Sequence, residues 1–448
     1  MKKNKMFETY QKDIEFLEGI ANIPKTTYML GPSDKQIFIT RIKRFLNLLN
    51  NPQDNLKFIH IAGTSGKGST VKLLESLLAN AHLKTGSFTS PFASTSIERI
   101  SINNKLISPH DLHNILEYQI KPTLDKYVLK FSDSISYFEV WLIIALLYFK
   151  EQKCDWVVLE AGLGGLHDAT NVIANPKITA ITNIGLDHTH ILGKTKTLIA
   201  KNKAGIIKKN SLFLTTERNK KLLQIFKTTC KNKQAWFIKN QNLAVNYDTN
   251  NYFSTARQKD NLNLVLNILD ILKIKPRNTQ KVISNFGLIC RQETISKKPF
   301  VILDGAHNND KLDNLIAFVK QQQYKKLHLI LAFAENKDYR APLKKLLKLS
   351  DYLYITRFTI NVRKSAELKK LYKTSQKLRP KLSISVFNDP HQALDSALKL
   401  VNHRKAGSRS REKDDLIVVT GSFFLAGELR KKWISEEYIL KNLKLDNK

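Results

Sequence analysis

The chain has 448 residues, with 73 Lys and Arg against 39 Asp and Glu, a formal net charge of +34. At roughly 100–200 residues per domain this length predicts two or three domains, and an apolar fraction of 42% excludes a disordered or fibrous chain. Three scattered cysteines (Cys154, Cys230, Cys290), no apolar run approaching the roughly 20 residues of a membrane span, and a basic N-terminus without a signal-peptide core exclude a secreted scaffold and a membrane protein. A cytoplasmic protein is expected.

The charge suits a polyanion, because basic surfaces gain affinity for phosphate backbones by releasing counterions. The excess is mostly Lys, however, spread along the whole chain with Asn and Ile. Dedicated nucleic-acid readers concentrate Arg and aromatic residues on one face. A genome of skewed base composition explains the bias equally well, so no nucleic-acid partner is expected.

In chain order, residues 57–62 (KFIHIA) read as a strand running into GTSGKGST and then a helix over 71–81. Residues 155–161 (DWVVLEA) lead into GLGGLHDATN, and 177–184 (KITAITNI) into GLDHTHILG. Such Val/Ile/Leu runs alternating with helices mark a parallel sheet covered on both faces. Residues 251–276 carry Leu and Ile at helical spacing, and 285–299 are polar and short. A second series follows from about residue 300: PFVILDGAHN, LHLILAFAENKD, DYLYITRF and DLIVVTGSFF. Residues 404–415 read as a solvated loop before the last of these strands. The expected fold is α/β: a P-loop-containing, mostly parallel sheet domain over 1–295, then a smaller Rossmann-like α/β domain over 296–448.

The segment Gly63, Thr64, Ser65, Gly66, Lys67, Gly68, Ser69, Thr70 sits between a strand and a helix. Glycines let successive N–H groups converge on an anion, and the helix N-terminus adds partial positive charge. Lys67 would reach the β- and γ-phosphates of a nucleotide, with Ser69 or Thr70 near Mg2+. Gly68 interrupts the usual GxxxxGK[ST] pattern, and a Gly/Ser turn with a solvated lysine at the surface is the alternative. Glu160 ends the next strand pattern and suits Mg2+, since ligands in open parallel sheets sit beyond the carboxyl ends of strands; a surface Glu before a turn is the alternative. His188, beside Asp187 and His190, ends the following pattern and is otherwise a structural or solvated histidine.

These motifs resemble those of the folylpolyglutamate synthase and dihydrofolate synthase family of the Mur ligase superfamily. GTSGKGS is similar to the family's GTNGKGS. Thr89-Ser-Pro-Phe92 with Glu98-Arg-Ile100 is similar to SPH…ERI, and Tyr137-Phe-Glu139 to its YFE element. Residues 160–171 resemble EVGLGGRLDATN, and GLDHTHILG with Lys203-Ala-Gly-Ile-Ile-Lys208 resembles GLDHT.ILG…EKAGIIK. Gln258-Lys-Asp-Asn261, Arg291, the segment 303–309, Lys337-Asp338 and Thr420-Gly-Ser422 complete an ordered set over about residues 10–430.

The resemblance implies an ATP-dependent ligase that adds L-glutamate to dihydropteroate or a reduced folate through an acyl phosphate, acting as a monomer. By the same resemblance Ser90, Glu160, His188 and a carbamylated Lys203 would ligate Mg2+. Lys67, His188 and Lys203 would serve the chemistry, and Asn261, Arg291, Asp304 and His307 would contact ATP. Read without it, Arg291 is a solvated arginine, Asp304 a helix N-cap and Asn261 a polar helical residue. Ser136, Tyr137, Phe138, Glu139, His167, Asp168 and Ala169 would line the pteroate pocket. The chain departs from the family pattern at Met29, Leu142, Leu166, His167, Asn202, Cys290 and Asn309. Since Met29, Leu142, Leu166 and His167 fall around the acceptor pocket, a Mur-type ligase acting on another carboxylate is the alternative. A basic nucleic-acid-binding protein with a degraded nucleotide site is a third reading, which the intact Lys67, Glu160, His188 and Lys203 disfavour.

Overall fold

The computed structural model describes residues 2–20, 36–335, 339–359, 364–406 and 414–445. Met29 and the Lys337-Asp338 pair lie outside the described residues. The chain divides into two compact units. The first comprises Met1–Phe92, Ser96–Phe286 and Leu440–Lys444; the second comprises Ala93–Thr95, Gly287–Ile439 and Leu445–Lys448.

The first unit is built on an eight-stranded sheet. Its strands are β1 (Phe58–Ala62), β2 (Thr85–Phe88), β3 (Ile100–Ile102), β4 (Lys105–Leu106), β5 (Trp156–Glu160), β6 (Ile178–Ile181), β7 (Leu212–Thr215) and β8 (Trp236–Phe237). They lie in the order β4-β3-β2-β5-β1-β6-β7-β8. All neighbours pair parallel except β2 with β3 and β3 with β4. β1, β5 and β6 are buried along their whole length, as strands covered on both faces must be. Helix Tyr137–Glu151 is apolar on nearly every side and correspondingly buried.

A polar knot lies beneath this sheet. Glu75, wholly buried on helix Lys67–Asn80, accepts from Ser101 Oγ (2.6 Å), Ser87 Oγ (2.8 Å), the Asn104 amide (2.9 Å) and Lys72 Nζ (2.9 Å). Ser87 of β2 and Ser101 of β3 are register partners, so the knot ties the helix to the antiparallel pair.

The second unit carries a six-stranded sheet in the order β13-β12-β11-β14-β10-β9. Here β9 is Glu293–Lys297, β10 Phe300–Leu303, β11 Leu327–Leu331, β12 Tyr352–Ile355, β13 Ser383–Val386 and β14 Leu416–Thr420. Only β9 pairs antiparallel. The four apolar strands of the second series form as expected. Two polar edge strands were not expected: β9 occupies the segment read as a short polar connection, and β13 (SISV) is largely exposed. Edge strands bury less and carry little apolar signal. The segment 404–415 also differs from its reading as a loop, because helix Pro390–Ala406 includes its first three residues; 407–413 lie outside the described residues. No described helix is long and apolar enough to cross a membrane.

Candidate active site

Strand order decides what meets at the site. The chain crosses from β1 outward to β2, returns through β5, and passes to the opposite side of β1 at β6. Ligand crevices in open α/β sheets form at such a reversal, beyond the carboxyl ends of the strands. The phosphate loop leaves β1, Ser90 follows β2, Glu160 ends β5, and Asp187 and His188 follow β6. All four therefore leave the sheet on one edge.

The loop does not lie at the surface as a simple turn would. Thr64 and Ser65 are buried and clamped onto the segment after β6. Thr64 N donates to Asn183 O (2.9 Å), Ser65 N to Asn183 Oδ1 (2.9 Å) and Gly185 N to Thr64 Oγ1 (2.9 Å). Thr182 Oγ1 donates to Ser65 O at 2.6 Å. Gly63 has φ +149, and a Cβ on it would fall 1.8 Å from Thr182 Oγ1. Gly66, at φ +85, caps helix Lys67–Asn80, and a Cβ there would lie 2.4 Å from Asn261 Nδ2. Asn261, nine-tenths buried on helix Ala256–Ile271, is thus packed on the loop and is more than a polar helical residue.

Lys67 is the first residue of the helix, and its Nζ stands 3.7 Å from Glu160 Oε1. Glu160 is buried (4% exposed), not a surface residue before a turn, and its Oε2 accepts from Ser90 N at 3.1 Å. A Cβ on Gly68 would lie 3.2 Å from the same oxygen. The structure therefore brings the loop, Glu160 and Ser90 together. His188 takes a left-handed backbone (φ +49) and pairs with Asp187, Nε2 to Oδ1 at 3.8 Å.

Lys203, only 4% exposed, donates from Nζ to Gly63 O at 2.9 Å. Burial first, and then the neighbouring Lys67 charge, push its amine down to about 7, against the opposing pull of Asp187 and Asp168. A buried, readily neutral amine beside the phosphate loop is the form that adds carbon dioxide.

The residues expected around the acceptor divide in two. Ser136 and Glu139 form a capping box at the start of helix Tyr137–Glu151, with Ser136 N and Oγ each donating to Glu139 Oε2 at 2.7 Å. Glu139 Oε1 also accepts from Arg41, Nη2 at 2.9 Å and Nε at 3.2 Å. Burial pushes the Glu139 carboxyl upward, opposed by Arg41 and Ser136. Asp168 accepts from Leu163 N (2.6 Å), Thr170 N (3.0 Å) and Thr170 Oγ1, stapling its own loop. Both carboxylates are committed within the chain. Phe138 lies beside Gly162 and 5.6 Å from Phe88, while Tyr137 and Ala169 are buried and His167 half-buried.

Arg99 is the residue that sequence reasoning passed over. Its guanidinium lies over the rings of Phe92 (5.1 Å), Tyr137 (5.4 Å) and Trp141 (5.7 Å). Arg99 Nε, Tyr137 Oη and Trp141 Nε1 are buried without hydrogen-bond partners among the described residues. The ERI motif held this signal, but a motif does not show burial.

In the second unit, Asp304 follows β10 and accepts from Gln292 N (2.8 Å) and Ala306 N (2.7 Å). It is not the cap of the next helix, a role taken by Asn308. Burial raises its carboxyl, with Arg291 opposing first. Arg291 stacks on Phe423 at 4.2 Å, and its Nη1 is buried without a hydrogen-bond partner among the described residues, so it is not a solvated arginine. His307 donates from Nδ1 to Gly305 O (2.8 Å) and accepts from Lys311 at Nε2 (3.3 Å), which assigns the proton to Nδ1.

Among the described residues, Asp13, His113 and Glu117 form the one His/Asp/Glu group close enough to share a cation, on elements apart from the phosphate loop. There Lys121 already neutralises Glu117.

A nucleotide loop on the central strand, an acidic strand end beside it and a second α/β unit define the class of Mur-type ligases. Residues 61–275 match the Mur ligase middle domain, and residues 288–432 match the dihydrofolate synthetase C-terminal domain. The chain belongs to the dihydrofolate synthase/folylpolyglutamate synthase family of that superfamily. It is 30% identical to the dihydrofolate synthetase of Saccharomyces cerevisiae, over 88% of this chain and 97% of that one. It is 28% identical to the dihydrofolate synthase/folylpolyglutamate synthase of Bacillus subtilis, over 95% of this chain and 100% of that one. The folylpolyglutamate synthase of Mycobacterium tuberculosis solved with ADP shares the fold at a TM-score of 0.82 and 24% identity, over 96% of this chain and 99% of that one.

Proposed function

We propose that this chain is an ATP-dependent ligase that joins L-glutamate to dihydropteroate or to a reduced folate. A carboxylate is a poor electrophile at neutral pH, and phosphorylation turns one of its oxygens into a leaving group. The acceptor carboxylate oxygen attacks the γ-phosphorus of ATP, and the bond to the β-phosphate oxygen breaks to release ADP. The glutamate nitrogen then attacks the acyl carbon, loses a proton, and phosphate departs as the amide forms. Most of the protein's work in such a transfer is positioning and charge neutralisation.

The observation that carries this reading is the arrangement around one loop: Lys67, Glu160, Ser90 and Lys203 each meet it or one another within 3.7 Å. Loop amides, the helix N-terminus, Lys67 and Asn261 would hold the phosphates. Arg291, Asp304 and His307 are the proposed nucleotide contacts of the second unit, Arg291 through its buried Nη1, which has no partner among the described residues. Glu160 and Ser90, with His188, are the residues that would hold Mg2+, once Lys67 turns from Glu160 toward a phosphate. Mg2+ would neutralise charge on the transferring phosphoryl group. Lys203 is the proposed carbamylation site: its neutral amine adds to carbon dioxide and releases a proton, giving an anion where the buried cation is disfavoured. Phe138 and Ala169 would wall the acceptor, and Arg99 supplies a buried positive charge for a substrate carboxylate. Action as a monomer in the cytoplasm completes the proposal; the free, buried state of Cys154, Cys230 and Cys290 supports a reducing compartment.

The test is ADP release by the full-length protein with ATP, Mg2+ and L-glutamate, with and without dihydropteroate or tetrahydrofolate. Turnover that requires both glutamate and one of these acceptors is the expected result. Turnover unaffected by either acceptor would overturn the proposal.

A further inference from the structure

Two hydroxyls follow Gly68 in the phosphate loop, and the structure treats them differently. Thr70 Oγ1 donates back to Gly66 O at 2.9 Å and is wholly buried, so its proton is already used inside the helix. Ser69 Oγ lies 2.7 Å from the phenol oxygen of Tyr252, a residue distant in sequence that lies outside every motif described above.

Tyr252 is held rigidly. It sits in the short 3-10 turn Asn251–Phe253 and is 8% exposed. Its amide donates to Asn250 Oδ1 at 3.0 Å, while Asn250 Nδ2 donates to Ser284 O (2.8 Å) and Phe286 O (2.7 Å). Its ring meets Phe253 and Phe286 edge-on, at 5.2 and 5.1 Å. A phenol fixed in this way cannot follow a moving partner, whereas a serine hydroxyl turns about one bond. The Tyr252 oxygen therefore selects the orientation of Ser69.

We infer that Tyr252 is a positioning residue whose phenol oxygen accepts a hydrogen bond from the Ser69 hydroxyl and so turns the Ser69 lone pairs toward the Mg2+ that accompanies the nucleotide. The inference rests on the ligase reading above. A cation needs an acceptor oxygen, and a hydroxyl offers one cleanly only when its own proton is directed elsewhere. Partners of this kind, one step removed from the metal, typically change metal affinity by about 10–100-fold when lost.

Titration calorimetry of ADP binding to the full-length protein, in millimolar Mg2+ and again in EDTA, tests this. Tyr252→Phe keeps the ring and its packing. Its expected effect is roughly tenfold weaker ADP binding with Mg2+, unchanged binding in EDTA and an unchanged melting temperature. Ser69→Ala should lose at least as much, and the double variant no more than Ser69→Ala alone. Parental Mg2+-dependent affinity in Tyr252→Phe would overturn the inference, as would an equal loss in EDTA or a Ser69→Ala variant without any Mg2+ defect. Failure of the ligase reading shows separately, as absent acceptor-dependent turnover in the parent protein.

Discussion

Replacing Gly66 by alanine should damage stability and nucleotide binding by amounts that can be separated. At φ +85, Gly66 holds a backbone conformation that costs an L-residue roughly 1–2 kcal/mol. The new Cβ would also lie 2.4 Å from Asn261 Nδ2 and 2.8 Å from Oδ1, about 1 Å inside ordinary van der Waals separation. Asn261 is nine-tenths buried, so relieving the clash means shifting a packed side chain, at about 1–3 kcal/mol. The sum is a loss of about 2–5 kcal/mol, measurable as a lowered urea midpoint with an unchanged slope. ADP affinity by calorimetry should fall at least about tenfold, because the loop and Asn261 both move. The double variant Gly66→Ala/Asn261→Ala should recover the clash and leave the backbone penalty, a coupling of about 0.5–3 kcal/mol. A parental midpoint for Gly66→Ala, or no recovery in the double variant, would refute the argument that this close approach builds the loop.

Lys67→Ala should reduce acceptor-dependent ADP release below about a tenth of the parent rate while leaving the far-ultraviolet circular dichroism unchanged; a smaller loss would remove Lys67 from the phosphate clamp. Lys203 gives a pH signature. Burial and Lys67 lower its amine to about 7 from 10.5, so between those values the unfolded chain binds the extra proton. Stability therefore rises with pH across that window, by up to about 1.4 kcal/mol per unit, and in carbon-dioxide-free buffer Lys203→Met should lose that slope. Identical pH–stability curves for the two proteins would contradict the burial argument. His60, wholly buried on β1 with its pKa lowered to about 3 by burial and then Lys208, acts on the acid side. The unfolded histidine titrates near 6.5, so stability falls as pH drops from 6.5 toward 3, and His60→Gln should flatten that limb in acid-unfolding curves. Glu139→Ala leaves Arg41 buried without its anion and should cost about 3–5 kcal/mol in chemical unfolding. Full stability together with a raised acceptor KM would instead make Glu139 a substrate residue.

What the sequence revealed follows from what each residue needs. The central strands of both sheets are buried on both faces and so had to be apolar, which made them legible. Ser383–Val386 and Glu293–Lys297 lie at sheet edges, where polar residues are tolerated, and nothing marked them as strands. The glycines and Lys67 were legible because loop geometry restricts residue type. Tyr252 and Arg99 were not, since their roles come from partners assembled by the fold: a serine far away in sequence in one case, three aromatic rings in the other. Glu139 shows the converse, because YFE pointed to the acceptor pocket while the carboxylate was already taken by Ser136 and Arg41.

The polar knot around Glu75 constrains how this chain can drift. Because Ser87 and Ser101 face each other across β2 and β3 while both donate to Glu75, sliding the pair by one residue would set isoleucine against a buried carboxylate. A mutation at Glu75 removes the one carboxylate that Lys72, Ser87 and Ser101 all donate to. A simultaneous apolar replacement of all four could keep the unit folded, but it would erase the mark that tells β3 where to align. Lineages carrying this fold should therefore keep the four residues or exchange them as a set, and a chain holding only two or three would be expected to misalign its edge strands before it failed to fold.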